Sequence, residues 1–242
     1  METSSLTGKR VVILGGTSGF GLATAKAAAA AGAQVVIASS NQQRIQDALK
    51  TLPANAEGHV ADLNQESNIQ QLFTTIGAFD HLVYTAGENM SLLFIEDMDM
   101  EKARNFFNLR YWGALMAVKH AAPYIRPGGS INLTSGTASR RPRKGWAIAT
   151  SICGAMEGLV RALAVELAPI RVNCVLPDVV RTNLWNGIPE ADREQMYKSV
   201  GEALLVKRVG EPEDIAQAFI YLMQQQFGTG HSLVIDGGAL LV

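Results

Sequence analysis

The sequence has few cysteines, few histidines and no excess of charge of either sign. Its 242 residues include two cysteines and four histidines, and the net charge at pH 7 is −1. Two cysteines are too few for the disulfide framework of a small secreted domain. The histidines have no metal-ligand spacing, so no metal site is predicted. A nearly neutral chain also lacks the basic surface on which non-specific nucleic-acid binding depends.

A signal peptide and a membrane-spanning segment are also absent from the pattern. The first residues, METSS, do not show the basic-then-apolar order of a signal peptide. The alanine-rich run from Ala23 to Ala33 is broken by Lys26 and Gly32, and it is too short and too weakly apolar to cross a membrane. We therefore expect a cytoplasmic protein with no membrane partner.

Apolar runs of strand length alternate with longer helix-like segments. The runs are rich in Val, Ile and Leu without strict alternation, which is typical of strands buried on both faces. They are Arg10–Leu14, Gln34–Ser39, Glu57–Ala61, His81–Thr85, Ser130–Thr134, Arg171–Leu176 and Ser232–Ile235. Helical segments are expected near residues 20–31, 41–51, 65–76, 100–126, 147–168 and 212–225. The pattern predicts a single α/β domain over residues 1–242, a Rossmann-type doubly wound parallel sheet of about seven strands.

Segment 182–205 departs from this alternation, and two interpretations of it stay open. It lies between the sixth strand and the final helix and holds Trp185, Pro189, Met196 and Tyr197. Long insertions in compact domains are often lids, so one interpretation is a helical flap over a site. The other is an ordinary connecting pair of helices.

A glycine-rich turn, GGTSGFG, follows the first strand and opens the first helix. Glycine permits a tight turn and the close approach of a pyrophosphate, and the helix N-terminus offers N–H groups and the positive end of a dipole. A glycine pattern alone is weak evidence, but between a strand and a helix it predicts a dinucleotide site. The residues expected to contact the dinucleotide here are Gly15, Thr17, Ser18, Gly19, Phe20 and Gly21.

This turn resembles that of the short-chain dehydrogenase/reductase family, whose spacing is Gly-x-x-x-Gly-x-Gly. Asp62 and Leu63 resemble the family's adenine-binding pair, and Ala86-Gly87 keeps the second half of its Asn-Asn-Ala-Gly motif. Residues 208–216 match the family's C-terminal region, so the resemblance covers essentially the whole chain.

Residues 177–182, PDVVRT, resemble the family's Pro-Gly-x-Val-x-Thr segment. The resemblance implies that Pro177, Val180 and Thr182 contact the nicotinamide part of the cofactor.

The residues after the second strand favour NADP over NAD. An acidic residue there would hold the ribose hydroxyls of NAD and repel a 2′-phosphate. The sequence instead has Ser39, Ser40 and Asn41, three small polar residues that could bind a phosphate, with Arg44 one turn further on. Arg44 is either a further phosphate ligand or a solvated helix residue.

The catalytic tyrosine and lysine of the family are missing. In the family, the tyrosine protonates the substrate carbonyl oxygen as hydride arrives at carbon, and the lysine four residues later lowers its pKa. Alignment places Ala149 at the tyrosine and Cys153 at the lysine. No tyrosine occurs within residues 125–196 and no lysine within residues 145–197. General acid catalysis typically contributes about 10²–10⁴-fold to the rate, so its loss should greatly slow the reduction of a simple ketone.

Three explanations follow from this loss. The protein could be an atypical NADP(H)-dependent reductase, in small-molecule biosynthesis, of a pre-activated electrophile such as an imine or iminium ion, which needs no proton on oxygen. It could instead be a non-redox cyclase, or a nucleotide-binding structural subunit. The first explanation is favoured, and function has to be argued from the site rather than from the fold.

Asp178 stands where the family has glycine, beside the nicotinamide. A carboxylate there could stabilise a nearby cation. It could also stay protonated through burial and act as an acid. The alternative is a turn residue that faces solvent, since aspartate is common in turns.

Four other residues are candidates for the site. Asn108 and Ser135 match the family's asparagine and serine; Ser135 could bind a substrate heteroatom, whereas Asn108, without the lysine, could be structural. Arg110 is either a clamp for a carboxylate or carbonyl group, or an arginine at the surface or an interface. Trp146 is either a pocket wall that stacks on a flat substrate or a core residue. The basic run 140–144 either steers an anion or is a solvated loop.

The helical segment 147–168 carries small and apolar residues on most of its faces. Burial on more than one side suits a homo-oligomer, a dimer or a tetramer.

Overall fold

The computed structural model describes residues 6–90 and 92–242. In this part of the chain a seven-stranded parallel sheet has the order β3-β2-β1-β4-β5-β6-β7. The strands are β1 Arg10–Leu14, β2 Gln34–Ser39, β3 Glu57–Val60, β4 Phe79–Tyr84, β5 Ile125–Thr134, β6 Arg171–Pro177 and β7 Ser232–Ile235. The predicted doubly wound sheet is confirmed.

Helices pack on the two faces of the sheet over two separate apolar clusters. In the described residues the α-helices are α1 Gly19–Ala30, α2 Gln42–Leu49, α3 Glu66–Ile76, α4 Met100–Phe107, α5 Ala114–Ala121, α6 Ala147–Glu166, α7 Glu190–Ala203 and α8 Pro212–Gln224. Side chains alternate along β1, so that Val12 packs in one cluster and Ile13 in the other. Both layers are apolar, which is why β1 is apolar from Val11 to Leu14.

The prediction of one continuous helix over residues 100–126 is wrong. The structure has α4, then a π-helical turn at Asn108–Gly113, then α5, and β5 already begins at Ile125. The Tyr84 hydroxyl donates to the Leu109 carbonyl at 2.5 Å, so this carbonyl bonds to a side chain inserted from β4. A Cβ at Gly113 would lie 2.6 Å from the same hydroxyl oxygen. Insertion of a side chain into the hydrogen-bond ladder is a known cause of such an irregularity.

Strands β3, β4, β5 and β6 also differ from the prediction at their ends: β4 ends at Tyr84 and not at Thr85, β5 begins at Ile125 and not at Ser130, and β6 ends at Pro177 and not at Leu176. β4 begins at Phe79 because Asp80, which interrupts the apolar run in the sequence, is buried and paired inside the fold. Its carboxylate accepts from the Arg10 backbone N–H at 2.9 Å and from Arg126 at 2.9 Å. β3 ends at Val60, one residue early.

Segment 182–205 forms a short 3₁₀ turn, Asn183–Trp185, followed by α7. Trp185 and Tyr197 are buried in a small third cluster beside the end of β6. The Trp185 indole N–H donates to the Val180 carbonyl at 3.0 Å, which fixes the start of the segment. That the segment opens and closes as a flap stays a prediction.

Helix α6 buries one side against the sheet, with Ile152 and Val160 in the core. On its outer side Val165 is 81% exposed, and a Cβ added at Gly154 or Gly158 would meet nothing within 4 Å. In the described chain α6 is the one helix whose length and composition would allow it to cross a membrane, a test that core helices also pass.

Candidate active site

A pocket of about 410 Å³ opens at the carboxyl ends of the strands. β1 and β4 are neighbours there, while the chain leaves them toward opposite edges of the sheet. In open α/β sheets this switch point is where ligands bind. The volume lies within the usual range for small-molecule sites.

Gly15 forms the floor of the pocket beside β4. Its φ is +86°, and an added Cβ would lie 2.7 Å from the Ala86 backbone nitrogen, so only glycine fits. Gly19, with φ +48°, begins α1. The first turn of α1 has no acidic residue and its cap, Ser18, makes no side-chain bond to it. The positive end of the helix dipole therefore remains available to an anion.

Two residues predicted to bind the cofactor lie outside the pocket lining. An added Cβ at Gly21 would lie 2.2 Å from the Gly15 carbonyl oxygen, so this glycine allows α1 to pack closely on the turn. Asn41 caps α2, and its side-chain oxygen accepts from the Arg44 backbone N–H at 3.0 Å. Both act through the backbone that shapes the pocket and not as part of its wall.

The remaining cofactor candidates all line the pocket. They are Gly15, Thr17, Ser18, Gly19, Phe20, Ser39, Ser40, Arg44, Asp62, Leu63, Ala86, Gly87, Pro177, Val180 and Thr182. Ser39, Ser40 and Arg44 meet at the end of β2 with no acidic side chain in that stretch of sequence. This end of the pocket fits an adenosine that carries a 2′-phosphate, because the stretch after β2 has no carboxylate to repel the phosphate and a guanidinium is within the wall.

The other end of the pocket has small residues where the resemblance places the acid pair. Ala149 and Cys153 both line it. The Ser135 hydroxyl, also in the lining, donates to the Cys153 backbone carbonyl at 3.1 Å. Burial raises the pKa of the Cys153 thiol, so this cysteine is a neutral wall residue and not an activated nucleophile.

Tyr84 reaches the lining but cannot replace the missing acid. Its side chain is buried, its hydroxyl is committed to the Leu109 carbonyl, and burial raises its pKa above the ordinary value for tyrosine. No lysine is found in the described lining, and the charged side chains nearest this end are Asp178 and Arg110.

Asp178 points into the protein and not into solvent, which overturns the interpretation as a solvent-facing turn residue. Its side chain is 5% exposed. One carboxylate oxygen, Oδ1, accepts from the Thr137 hydroxyl at 2.8 Å. The other, Oδ2, lies 3.8 Å from the Arg143 guanidinium and has no hydrogen-bond partner among the described residues. A buried carboxylate with one unused oxygen therefore lies in the pocket wall.

Arg110 lies in the wall, whereas Asn108 does not. The Arg110 guanidinium donates to the Glu88 carbonyl, and its Nε lies 3.4 Å from the Glu88 carboxylate. Desolvation lowers the pKa of Arg110, partly offset by Glu88. Asn108 is exposed, and its amide donates to the Asn105 side chain at 3.2 Å. Two residues apart on a helix face nearly opposite directions, so the π-helical turn presents Arg110 and not Asn108.

Arg110 thus lies in the pocket wall and not on the open surface. In the basic run 140–144, Arg140, Arg143 and Lys144 are exposed, as the solvated interpretation expects. Each cation of the run has a partner inside the protein. Arg140 pairs with Glu157 at 2.6 Å, Arg141 donates to the Ala239 carbonyl, Arg143 lies 3.8 Å from Asp178 Oδ2, and Lys144 lies 5.9 Å from the Phe94 ring centre.

Trp146 combines a position in the pocket wall with packing in the core, and that it stacks on a flat substrate stays a prediction. It lines the pocket, and it packs against two of the apolar clusters. The Arg143 guanidinium lies 5.1 Å from the centre of its ring.

The first turn of segment 182–205 closes one side of the pocket, with Leu184 and Trp185 in the lining. The Met90 backbone N–H donates to the Leu184 carbonyl at 2.8 Å, which joins this turn to the loop after β4. No residue of α7 belongs to the described lining.

Sequence reasoning missed Thr137 and Glu88. Both act through contacts with residues that are distant in sequence, and neither belongs to a motif that would have singled it out.

Comparison with known proteins gives a consistent result. A family profile described as Enoyl-(Acyl carrier protein) reductase matches residues 15–239. The short-chain dehydrogenase/reductase ATR9 of Stachybotrys chlorohalonatus is 35% identical and is aligned over 98% of this chain and 99% of its own.

Two solved structures are similar over nearly their full length. A small-chain dehydrogenase in complex with NADPH has a TM-score of 0.82 and 35% identity, covering 97% of this chain and 99% of the other. The MalC Reductase/Diels-Alderase from Malbranchea aurantiaca has a TM-score of 0.90 and 31% identity, covering 98% of each chain.

Proposed function

The chain belongs to the short-chain dehydrogenase/reductase family of oxidoreductases, and we propose that it is an atypical NADP(H)-dependent reductase of a pre-activated small molecule. The class of substrate that best fits the site is an imine or iminium ion. The observation that carries this proposal is the buried Asp178 carboxylate in a pocket end that holds Ala149 and Cys153 in place of the tyrosine and lysine.

The cofactor proposal rests on the glycine-rich turn after β1 and on the residues that follow β2. Gly15 leaves room for a pyrophosphate, α1 directs its N-terminus there, and Ser39, Ser40 and Arg44 would hold the 2′-phosphate. The complex of a similar dehydrogenase with NADPH supports the same choice. When bound, NADPH supplies a hydride, and the residues of this chain have to position the acceptor carbon and stabilise its charge.

The hydroxyl groups at the reacting end are poor proton donors to a substrate oxygen. The Ser135 hydroxyl donates to the Cys153 carbonyl, and the Thr137 hydroxyl donates to Asp178. An alkoxide formed from a ketone would meet a carboxylate there, which would destabilise it. An iminium carbon needs only hydride, and its positive charge would be stabilised by the same carboxylate. We therefore assign to Asp178 the stabilisation of the cation.

A non-redox cyclisation is the second candidate. The similar structure described as a Reductase/Diels-Alderase is the observation that favours it, because that description joins a reduction to a cycloaddition on this fold. The wall around Ala149, Ile152 and Trp146 would provide the apolar surface that shapes a folded substrate. Omission of NADPH separates the two functions, because a cyclase makes its product without the nucleotide.

Reduction is tested with a cyclic iminium ion, its neutral imine and the matched ketone, each with NADPH and without it. We expect NADPH-dependent amine formation from the iminium ion. In Asp178→Asn this turnover should fall by about tenfold or more, because a buried charge that faces the reacting centre is lost. Unchanged turnover in Asp178→Asn would remove the role assigned to this residue.

We also propose that α6 packs against a second copy of the chain. Its outer side carries Gly154, Gly158 and the exposed Val165, which would let two backbones approach closely. Light scattering should give at least twice the mass of one chain, and a monomer at micromolar concentration would refute this.

A further inference from the structure

The Arg143 guanidinium lies between two residues of the pocket wall. It is 3.8 Å from Asp178 Oδ2 and 5.1 Å from the centre of the Trp146 ring. Asp178 and Trp146 both line the pocket, whereas Arg143 comes from the loop after β5 and its side chain is 36% exposed. The protein thus places its own organic cation against the acidic and aromatic groups at the reacting end.

The contact between Arg143 and Asp178 is looser than a structural ion pair in the same loop. Arg140 meets the Glu157 carboxylate at 2.6 Å, which is a hydrogen-bonded pair. Arg143 approaches Asp178 only to 3.8 Å, beyond hydrogen-bond distance, and Oδ2 of that carboxylate has no hydrogen-bond partner in the described chain. A buried carboxylate whose charge is only loosely paired is costly to the folded protein, so a cation that approaches Oδ2 more closely than this guanidinium would be bound favourably.

Trp146 completes the set of groups that recognise an organic cation. The face of a tryptophan attracts cations through its quadrupole, and ammonium and iminium ligands are bound in this way beside aromatic rings. A carboxylate and a tryptophan face together select a positively charged, weakly hydrated nitrogen group that needs few hydrogen bonds.

We propose that Asp178 and Trp146 form a subsite for an organic cation, and that Arg143 occupies this subsite until a cationic ligand displaces its guanidinium. The identity of the ligand as a substrate rests on the proposed function, but the subsite itself does not. A neutral molecule of the same shape gains nothing from Asp178 and cannot compete with the guanidinium. Arg143 therefore acts as a specificity-determining residue that admits cations and excludes neutral analogues.

The experiment measures binding and not turnover. An N-methylated cyclic iminium ion is titrated calorimetrically against the full chain, with NADP⁺ and without it, because neither condition supplies a hydride. Its neutral carbocyclic analogue is titrated in parallel. The variants are Arg143→Gln, Asp178→Asn and the double variant, with Lys144→Gln as the matched control. Lys144 is the next cation of the loop; it lies beside Phe94, and in the described chain the ion pair of Asp178 is with Arg143 and not with Lys144.

We expect Arg143→Gln to bind the iminium ion roughly 2- to 5-fold more tightly, because the competing ion pair is partly exposed and therefore weak. Asp178→Asn should bind it at least about tenfold more weakly. In the Asp178→Asn background, the gain from Arg143→Gln should disappear, since the guanidinium no longer has a site to occupy. Lys144→Gln should bind the iminium ion like the unchanged protein.

Two results would overturn the proposal. One is no gain in Arg143→Gln. The other is an equal gain in Lys144→Gln or in the double variant, which would show only a general loss of positive charge. If the variants bind as expected but the unchanged protein reduces no iminium ion, the proposed reductase function fails and the cation subsite stands. If reduction occurs but Arg143→Gln changes nothing, the subsite fails alone.

Discussion

Replacement of Gly15 by alanine is a sharp test of the glycine-rich turn, because it lowers the free energy of unfolding through two effects that can be separated. The first is conformational: Gly15 has φ +86°, a region that costs an L-residue about 1–2 kcal/mol. The second is steric: the new Cβ would lie 2.7 Å from the Ala86 nitrogen and 2.8 Å from its Cα. These are backbone atoms of the loop that follows β4, so they cannot rotate away as a side chain would, and overpacking of this kind costs about 1–3 kcal/mol.

Gly8 provides the matched control. Its φ is +74°, yet an added Cβ would meet nothing within 4 Å, so Gly8→Ala carries the conformational cost alone. We expect Gly8→Ala to lower the free energy of unfolding by about 1–2 kcal/mol and to leave NADPH binding unchanged. Gly15→Ala should lower it by about 2–5 kcal/mol and weaken NADPH binding by at least about tenfold, because the turn must move away from β4.

Urea unfolding measures the stability of both variants, and quenching of tryptophan fluorescence by NADPH measures binding. If Gly15→Ala binds NADPH like the unchanged protein and loses no more stability than Gly8→Ala, the close approach of this turn to Ala86 is not what shapes the cofactor site.

Three further predictions concern single residues. Arg44→Gln should raise the dissociation constant of NADPH by about tenfold and leave that of NADH unchanged, because hydrogen bonds to charged groups contribute roughly 1.5–3 kcal/mol and Arg44 is exposed; an equal effect on both nucleotides would place Arg44 away from the 2′-phosphate. Tyr84→Phe should lower the free energy of unfolding by about 1–3 kcal/mol, because the Leu109 carbonyl loses its donor, while the pH profile of turnover stays unchanged; a shifted profile would make Tyr84 the acid. Burial lowers the pKa of His81 from 6.5 to about 4. Since its folded pKa lies below its unfolded pKa, the stability that His81 contributes is complete above pH 6.5 and is lost as the pH falls toward about 4. His81→Gln should show a smaller loss of stability over that range in urea unfolding, and an identical slope would assign the effect to other groups.

Local patterns were sufficient to predict the strands and the cofactor end of the site. Residues 10–14 form a run that is apolar after its first residue, because both faces of β1 are covered. Within the turn that follows, Gly15 has a left-handed φ and Gly21 packs closely on the Gly15 carbonyl. Such features depend on near neighbours and on two-sided burial, which sequence patterns reveal.

The reacting end depends on contacts between distant residues. The sequence makes both Asn108 and Arg110 candidates, and it is the π-helical turn, where the Tyr84 hydroxyl bonds the Leu109 carbonyl across 25 positions, that turns Arg110 toward the pocket. In the same way, the basic loop looks solvated in the sequence. Asp178, 35 positions after Arg143, gives that arginine its partner only when the ends of β5 and β6 lie side by side.

The loss of the family's catalytic tyrosine and lysine could be predicted from the sequence alone, because it depends only on which residues occupy those two positions. The surroundings of those positions could not be predicted in this way. The burial of Asp178 and the hydrogen bonds that the Ser135 and Thr137 hydroxyls donate are properties of the folded pocket.

We propose that this pocket positions bound NADPH to deliver a hydride to a cationic carbon and not to a neutral carbonyl. The most direct test uses NADPH deuterated at the transferred position, offered with an equimolar mixture of a cyclic iminium ion and its matched ketone. We expect deuterium at the former iminium carbon of the amine and a preference over the ketone of about 10²–10⁴-fold, the usual contribution of the missing general acid. Deuterated alcohol formed at a comparable rate, or product without deuterium, would contradict it.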